Sequence, residues 1–333
     1  MVKKNTLKKV LIIRFSSIGD IVLTSPVIRC LKNQSPETEI HYLTKKQNHS
    51  LLIANPYISK IWLFEDNFTE LITELKACNF NFVIDLHKNF RSRYVIMKLG
   101  KPSASFPKLN FRKWLLVNAK INILPDVHVV DRYFSALQKS GIRNDGKGLD
   151  YFIPKVEEVD LSGLLPKENM DYIAFSIGGK HNTKIFPDEK IISVCKSMNK
   201  PIVLLGGADD RDRAERIISQ CGSNVINGCG KYTINQSASL IRQSAKVITN
   251  DTGLMHIAAA FRKPIISIWG NTVPAFGMYP YLPEEFCSDS SIFEVKGLSC
   301  RPCSKLGYER CPKHHFRCMN DQDVDLIIKS LHE

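Results

Sequence analysis

Asp20 stands in residues 14–26, RFSSIGDIVLTSP, where a short apolar run gives way through a Ser- and Gly-containing turn to a helix-like segment. A carboxylate there has two uses. It can cap or charge the first turn of the helix, worth roughly 1 kcal/mol, or it can act as general base toward a hydroxyl nucleophile. Residues 176–187, SIGGKHNTKIFP, set Gly178 and Gly179 behind a strand, where backbone N–H groups can approach a phosphate, and add Lys180 and Lys184. The plain alternative is a glycine turn with two solvated lysines. Residues 247–260, VITNDTGLMHIAAA, end a strand at Asp251 and open an Ala-rich helix with Thr252 and Gly253. Free N–H groups at Thr252, Gly253 and Leu254, with the Thr252 hydroxyl, make an anion cradle on the helix dipole. His256 lies one turn further in, either as part of that cradle or as a satisfied structural group.

A fourth loop, residues 204–217, LLGGADDRDRAERI, follows a strand with a diglycine turn and then Asp209 and Asp210. Acids here suit the helix dipole; one can also accept hydrogen bonds from ribose hydroxyls. Asp210-Arg-Asp212 and Asp323-Val-Asp325 spell D-x-D on helical segments and read as surface acids. No loop carries the dinucleotide G-x-G-x-x-G or the Gly-Lys-Ser/Thr of a P-loop, which argues against a dehydrogenase or an NTPase.

The elements that must hold these loops follow from short Val- and Ile-rich runs. Residues 10–14, 40–44, 61–64 and 82–86 read as buried strands, with helices over 20–33 and 68–78. Strands over 172–177, 202–205, 247–249 and 265–269 alternate with helices over 187–198, 210–220, 235–244 and 252–261. That pattern predicts parallel sheets covered on both faces. Between the two series, residues 141–167 are polar and punctuated by Gly and Pro, as a connection would be. The expectation is an α/β chain of two doubly wound domains, 1–155 and 156–333, with ligands beyond the carboxyl ends of the strands.

Composition narrows the function further. At 44% hydrophobic and 24% charged, the 333 residues exclude a disordered or fibrous chain. Residues 1–150 carry 24 basic and 12 acidic side chains, whereas residues 151–333 carry 22 and 21. The first half should therefore meet something anionic. No apolar run approaches the roughly 18 residues of a spanning helix, and Arg14 interrupts the first one, so a cytoplasmic location is expected. Ten cysteines would then be reduced. Four of them, Cys300, Cys303, Cys311 and Cys318, fall within nineteen residues beside His314 and His315. They read as packed or redox-labile thiols, or as a structural zinc set.

The segments LIIRFSSIGDIVLTSPVI, residues 184–187 and NDTGLMHIAAAFRKPIISIWG resemble glycosyltransferase family nine, the ADP-heptose:lipopolysaccharide heptosyltransferases, over residues 9–321. The resemblance implies a GT-B fold, two Rossmann-like domains facing a cleft, with acceptor on the first and nucleotide-sugar on the second. It implies Asp20 as base and Lys184 as the catalytic cation at the sugar diphosphate, although Phe186 replaces the family's usual Trp. Gly178, Gly179, Lys180, Asp251, Thr252, Gly253, Leu254 and His256 would bind the donor, with Asp209 nearest to a ribose acid. Ser17 and Gly19, with Lys88, Arg91 and Arg93 of DLHKNFRSR, would meet the acceptor; a solvated basic face is the plain reading of those charges, as of Lys108, Arg112 and Lys113. The implied reaction is inverting and needs no cofactor or metal. Its partners are ADP-heptose, an anionic lipid A core acceptor and, peripherally, the inner face of the cytoplasmic membrane, but no nucleic acid. A related transferase of another activated sugar, a non-catalytic binder of nucleic acid or membrane, and a sugar-nucleotide epimerase are the alternatives. The last lacks its glycine fingerprint and Y-x-x-x-K pair.

Overall fold

Central strands of a parallel sheet are covered on both faces, so they read as unbroken apolar runs. Two sheets of this kind are present in the computed structural model, which describes residues 7–65, 68–165 and 171–332. The first contains β1 (Lys9–Ile13), β2 (Glu39–Lys45), β3 (Lys60–Phe64), β4 (Phe82–Asp85) and β5 (Ser103–Ser105). The second contains β6 (Ile173–Ser176), β7 (Ile202–Leu205), β8 (Val225–Asn227), β9 (Lys246–Asn250), β10 (Ile265–Trp269) and β11 (Ser290–Glu294). Every pairing is parallel.

The strand orders, β3-β2-β1-β4-β5 and β11-β10-β9-β6-β7-β8, both reverse direction beside their first strand. In the first sheet Val10 is flanked by Ile40 and Phe82; in the second Ile173 is flanked by Ile202 and Lys246. The crevices at such reversals open after β1 and β4, and after β6 and β9. Three of the four chemistry-bearing loops follow one of these strands; the Asp209 loop follows β7.

The chain forms two units. One includes residues up to Lys108 and Val127–Pro154; the other takes Leu109–Asp126 and everything from Lys155. The expected halves 1–155 and 156–333 differ from this at residues 109–126, which pack with the second unit. Lys120 is one tie, its ammonium donating to the carbonyls of Cys300 and Pro302 at 3.1 and 2.7 Å. The start of the expected connection is pinned to the first unit. Arg29 holds Asp145 through two bonds of 2.9 and 2.7 Å and also pairs with Asp150. The far end of that connection, Pro166 and Lys167, lies outside the described residues.

The helix expected over residues 20–33 is two helices, Ile18–Val22 and Ser25–Gln34. Pro26 has no N–H for the carbonyl of Val22, so the first helix ends. Thr24 fills the corner: its hydroxyl donates to the Ile21 carbonyl, and its carbonyl accepts from Val27 and Ile28. The first core gathers Leu11, Ile13, Leu43, Trp62, Val83 and Val95. The second includes Phe175, Phe186, Ile268, Met319 and Ile327, the last from the helix Val324–His332.

Candidate active site

In the first unit, the turn after β1 delivers Asp20 to the switch point. Asp20 sits in the first turn of helix Ile18–Val22 and closes a ring with Ser17, whose backbone N–H and hydroxyl donate to Oδ2 at 3.1 and 2.8 Å. The other oxygen, Oδ1, meets Nη2 of Arg14 at 2.5 Å. Arg14 leaves the end of β1 and is itself fully engaged. Its Nε donates to the Ser16 carbonyl at 2.8 Å, and its Nη1 to the Leu86 carbonyl and to the Tyr133 hydroxyl. Burial pushes the Asp20 carboxyl up, but the guanidinium and the two Ser17 bonds outweigh it and hold the group below its usual range. At neutral pH Asp20 is an oriented carboxylate.

The turn after β4 completes this side. Buried Asp85 accepts from the N–H groups of His87 and Lys88 at 2.9 and 2.7 Å and from the Ser92 hydroxyl at 2.8 Å. His87 therefore stands beside the Arg14–Asp20 pair, its ring against Phe15 with centroids 5.1 Å apart. Burial, then Arg14 and Lys108, push the imidazole down to about 4, so it is neutral.

In the second unit, Lys184 ends the short turn Asn182–Lys184 and reaches the end of β9, where Nζ lies 2.5 Å from Oδ2 of Asp251. The Thr272 hydroxyl donates to the same oxygen at 2.7 Å. Helix Gly253–Ala260 starts beside this pair, and no side chain caps its first turn. The N–H groups of that turn thus face outward with the positive end of the dipole. Asn250 ties the loops together. Its Oδ1 accepts from the Phe186 N–H at 3.2 Å, and its Nδ2 donates to the carbonyls of Ile177 and Gly178 at 3.2 and 3.3 Å.

The Cys-rich segment supports this cradle from behind. Thr183 exchanges backbone and hydroxyl bonds with Tyr308 at 2.8 to 3.1 Å. Arg301 donates to the carbonyls of Gly270 and Thr272 at 2.6 and 2.8 Å and pairs with Glu294 at 2.7 Å. A relay therefore runs from Arg301 through Thr272 and Asp251 to Lys184. The four clustered cysteines carry no disulfide. Cys300 Sγ lies 3.7 Å from Nε2 of His315, and burial pushes the Cys318 thiol up to about 12. Among the described residues no three His, Cys, Asp or Glu side chains are arranged to hold a metal ion.

Several expected site residues take other parts. Asp251 uses Oδ2 for both Lys184 and the Thr272 hydroxyl, so it also positions the lysine. His256 is buried one turn into the helix. Asp210, not Asp209, closes on the glycine turns. It accepts from the Gly207 N–H at 2.9 Å, and a Cβ added at Gly178 would come 2.2 Å from its Oδ2; Asp209 is exposed. Lys88 donates to the Phe106 carbonyl at 2.9 Å, while Arg91 and Arg93 stand exposed and Arg91 leans over Phe64. Ser17 is exposed, Gly19 buried, Gly179 partly covered and Lys180 exposed. Arg14, His87, Asn250 and Thr272 were missed. Their position could have drawn attention to them: Asn250 ends β9, and Arg14, His87 and Thr272 lie just beyond the ends of β1, β4 and β10.

Comparison with known proteins agrees with this arrangement. Residues 68–299, more than half of the chain, match the model of glycosyltransferase family 9 (heptosyltransferase). Lipopolysaccharide heptosyltransferase 1 of Campylobacter coli is 26% identical over 295 residues, spanning 79% of this chain and 84% of that protein. The crystal structure of a family 9 glycosyl transferase from Veillonella parvula superposes with a TM-score of 0.79 at 20% identity, over 98% of this chain and 96% of that one. The ADP-heptose lps heptosyltransferase II of E. coli gives 0.73 at 20% identity, over 97% of each chain. With two doubly wound parallel sheets, these likenesses give the chain the GT-B fold.

Proposed function

The chain belongs to glycosyltransferase family 9, and from that premise we propose that it transfers a heptose from ADP-heptose to the inner core of lipopolysaccharide, with inversion at the anomeric carbon. The observation that carries this reading is the Lys184–Asp251 pair beside the uncapped start of helix Gly253–Ala260. An ammonium and a row of outward N–H groups at one strand end suit a diphosphate. Relatives named as lipopolysaccharide heptosyltransferases supply the sugar and the acceptor of the proposal.

In this mechanism the acceptor hydroxyl attacks the anomeric carbon and passes its proton to Asp20, while the bond to the diphosphate oxygen breaks on the opposite face. Asp20 is a weak base in the resting protein. It suffices because a hydroxyl becomes strongly acidic as its oxygen bonds to carbon, so the proton moves late. Negative charge grows on the leaving diphosphate, where Lys184 and the first turn after Thr252 stabilise it, by about 2 to 4 kcal/mol per group in a site closed to water. This needs no divalent ion. Arg14 fixes the orientation of Asp20, and Thr272 that of Asp251. Exposed Arg91 and Arg93 suit acidic and phosphorylated core sugars. The acceptor is lipid-borne, so the enzyme works peripherally at the cytoplasmic face of the membrane; among the described residues no helix is long and apolar enough to cross it.

The test is incubation with ADP-heptose and a panel of other nucleotide-sugars, with and without truncated lipopolysaccharide, in EDTA. Acceptor-dependent ADP release with inverted configuration in the product is expected. Release from another donor only would reassign the sugar, and no transfer from any donor would overturn the reading.

A further inference from the structure

Residues 86–125 contain nine Lys or Arg and not one Asp or Glu. The same stretch holds seven of the large apolar side chains that stand exposed among the described residues: Phe90, Tyr94, Met97, Phe111, Trp114, Ile121 and Ile123. Soluble surfaces rarely keep large apolar groups together unless something covers them. The feature is most developed in Leu109–Asp126. There helix Asn110–Trp114 runs into the turn Leu115–Ala119. Leu116 is buried beneath, Lys120 is bonded to the carbonyls of Cys300 and Pro302, and Lys113 lies 5.5 Å from the centre of the Phe276 ring. The segment is thus held from below while its apolar side chains face out. Phe111 and Trp114 stack there with centroids 6.4 Å apart and an interplanar angle of 10°. They are 70% and 53% exposed.

Charge selects the occupant. A second copy docked through this face would set one acid-free basic stretch against another, and like charges disfavour such a pairing. An anionic bilayer offers what the segment lacks: phosphates for the bases and an interfacial layer for the rings. We propose that Phe111, Trp114, Ile121 and Ile123 enter the interfacial layer of an anionic membrane, with Arg112 at its headgroups. The segment so seats the protein on the surface that carries its acceptor. Only the identity of the acceptor rests on the proposed transferase reading; the vesicle contact stands apart from it.

Trp114 makes the test direct. The chain has three tryptophans, and Trp62 and Trp269 are only 6% and 1% exposed, so a change in polarity outside the protein registers through Trp114. The full chain is titrated with vesicles of phosphatidylcholine alone or mixed with phosphatidylglycerol. With the anionic vesicles alone, the emission should shift to the blue and be quenched by brominated acyl chains, and salt should weaken the response. Sedimentation with the same vesicles should fall about tenfold for Phe111→Ser and again for Trp114→Ser. Transfer to a deacylated, soluble acceptor should stay within about twofold in both variants, while transfer to acceptor embedded in vesicles should drop. Absence of quenching, or equal sedimentation of wild type and variants, would overturn the proposal. So would concentration-dependent self-association that these substitutions abolish, which would make the face a protein interface. Failure of the wild type to use the soluble acceptor would count against the transferase reading and leave the vesicle result to decide the contact.

Discussion

Asp20→Asn separates the chemistry of the first unit from its stability. The Asp20 side chain is 20% exposed and that of Arg14 8%. Breaking a buried pair from one side costs about 3 to 5 kcal/mol. The partial exposure of Asp20, and the other oxygens that Arg14 keeps, bring this to about 1 to 3 kcal/mol. For a chain of this size that lowers Tm by about 1 to 5 °C. The sign with pH is fixed by the direction of the shift. The carboxyl is held below its ordinary value of 3.8 in the folded protein, so its contribution is fully present above that pH and disappears as pH falls below it. The stability gap between wild type and Asp20→Asn should therefore be constant from pH 6 to 8 and close in strong acid. Turnover should fall by about two to four decades. Donor affinity, measured by calorimetry, should stay within about twofold, because the donor groups belong to the other unit. Turnover within about threefold of wild type, in a folded variant with normal donor affinity, would refute proton transfer to Asp20. A parallel loss of donor affinity and turnover would make Asp20 structural.

Arg14→Met should leave burial at Asp20 opposed by the two Ser17 bonds alone and raise its pKa, so the acid limb of kcat/KM moves to higher pH; an unmoved limb in the pH–rate profile would detach Arg14 from the base. Gly178→Ala would set its Cβ 2.2 Å from Oδ2 of Asp210 and should cost about 1 to 3 kcal/mol in denaturant melts. Most of that should return in the Gly178→Ala, Asp210→Ala double variant, a non-additivity that marks direct contact. Asn250→Ala should cost about 1 to 3 kcal/mol and weaken donor binding, since it orphans the Phe186 N–H and takes the side-chain donor from the Gly178 carbonyl, while the Ile177 carbonyl keeps Arg213. Unchanged donor affinity would mean that the two loops hold their places without it.

How much of this was legible in the chain depends on the range of the interactions. β1, β7 and β10 are buried on both faces, and their Val, Ile and Leu runs announce them. β5, β8 and β11 are missed because they are edges: Ser-Ala-Ser has no apolar pattern, and β11 is half-exposed throughout. The assignment of residues 109–126 to the second unit depends on contacts such as Lys120 with carbonyls 180 and 182 residues away, which no local pattern carries. The site divides in the same way. Asp20, the turn ending at Lys184 and the Thr252 helix start are visible because each is a local strand-to-helix feature. Arg14 looks like the mere end of an apolar run; its partners Leu86 and Tyr133 lie 72 and 119 residues on.

Asp251 shows why the distinction matters to the mechanism. Its position in the sequence puts it in the cradle, but its contacts, 67 residues back and 21 forward, show that it already neutralises Lys184. On the proposed mechanism an incoming diphosphate meets an ammonium already paired with Asp251, and its first gain comes from the N–H groups of the helix start. On the proposed mechanism Lys184 swings its charge from Asp251 to the leaving group only as negative charge builds there, while the Thr272 hydroxyl keeps Asp251 supplied with a donor. An interaction that strengthens between ground state and transition state lowers the barrier without tightening the resting complex. Thr272 is thereby as much a part of the leaving-group machinery as the lysine, although it need not touch the substrate.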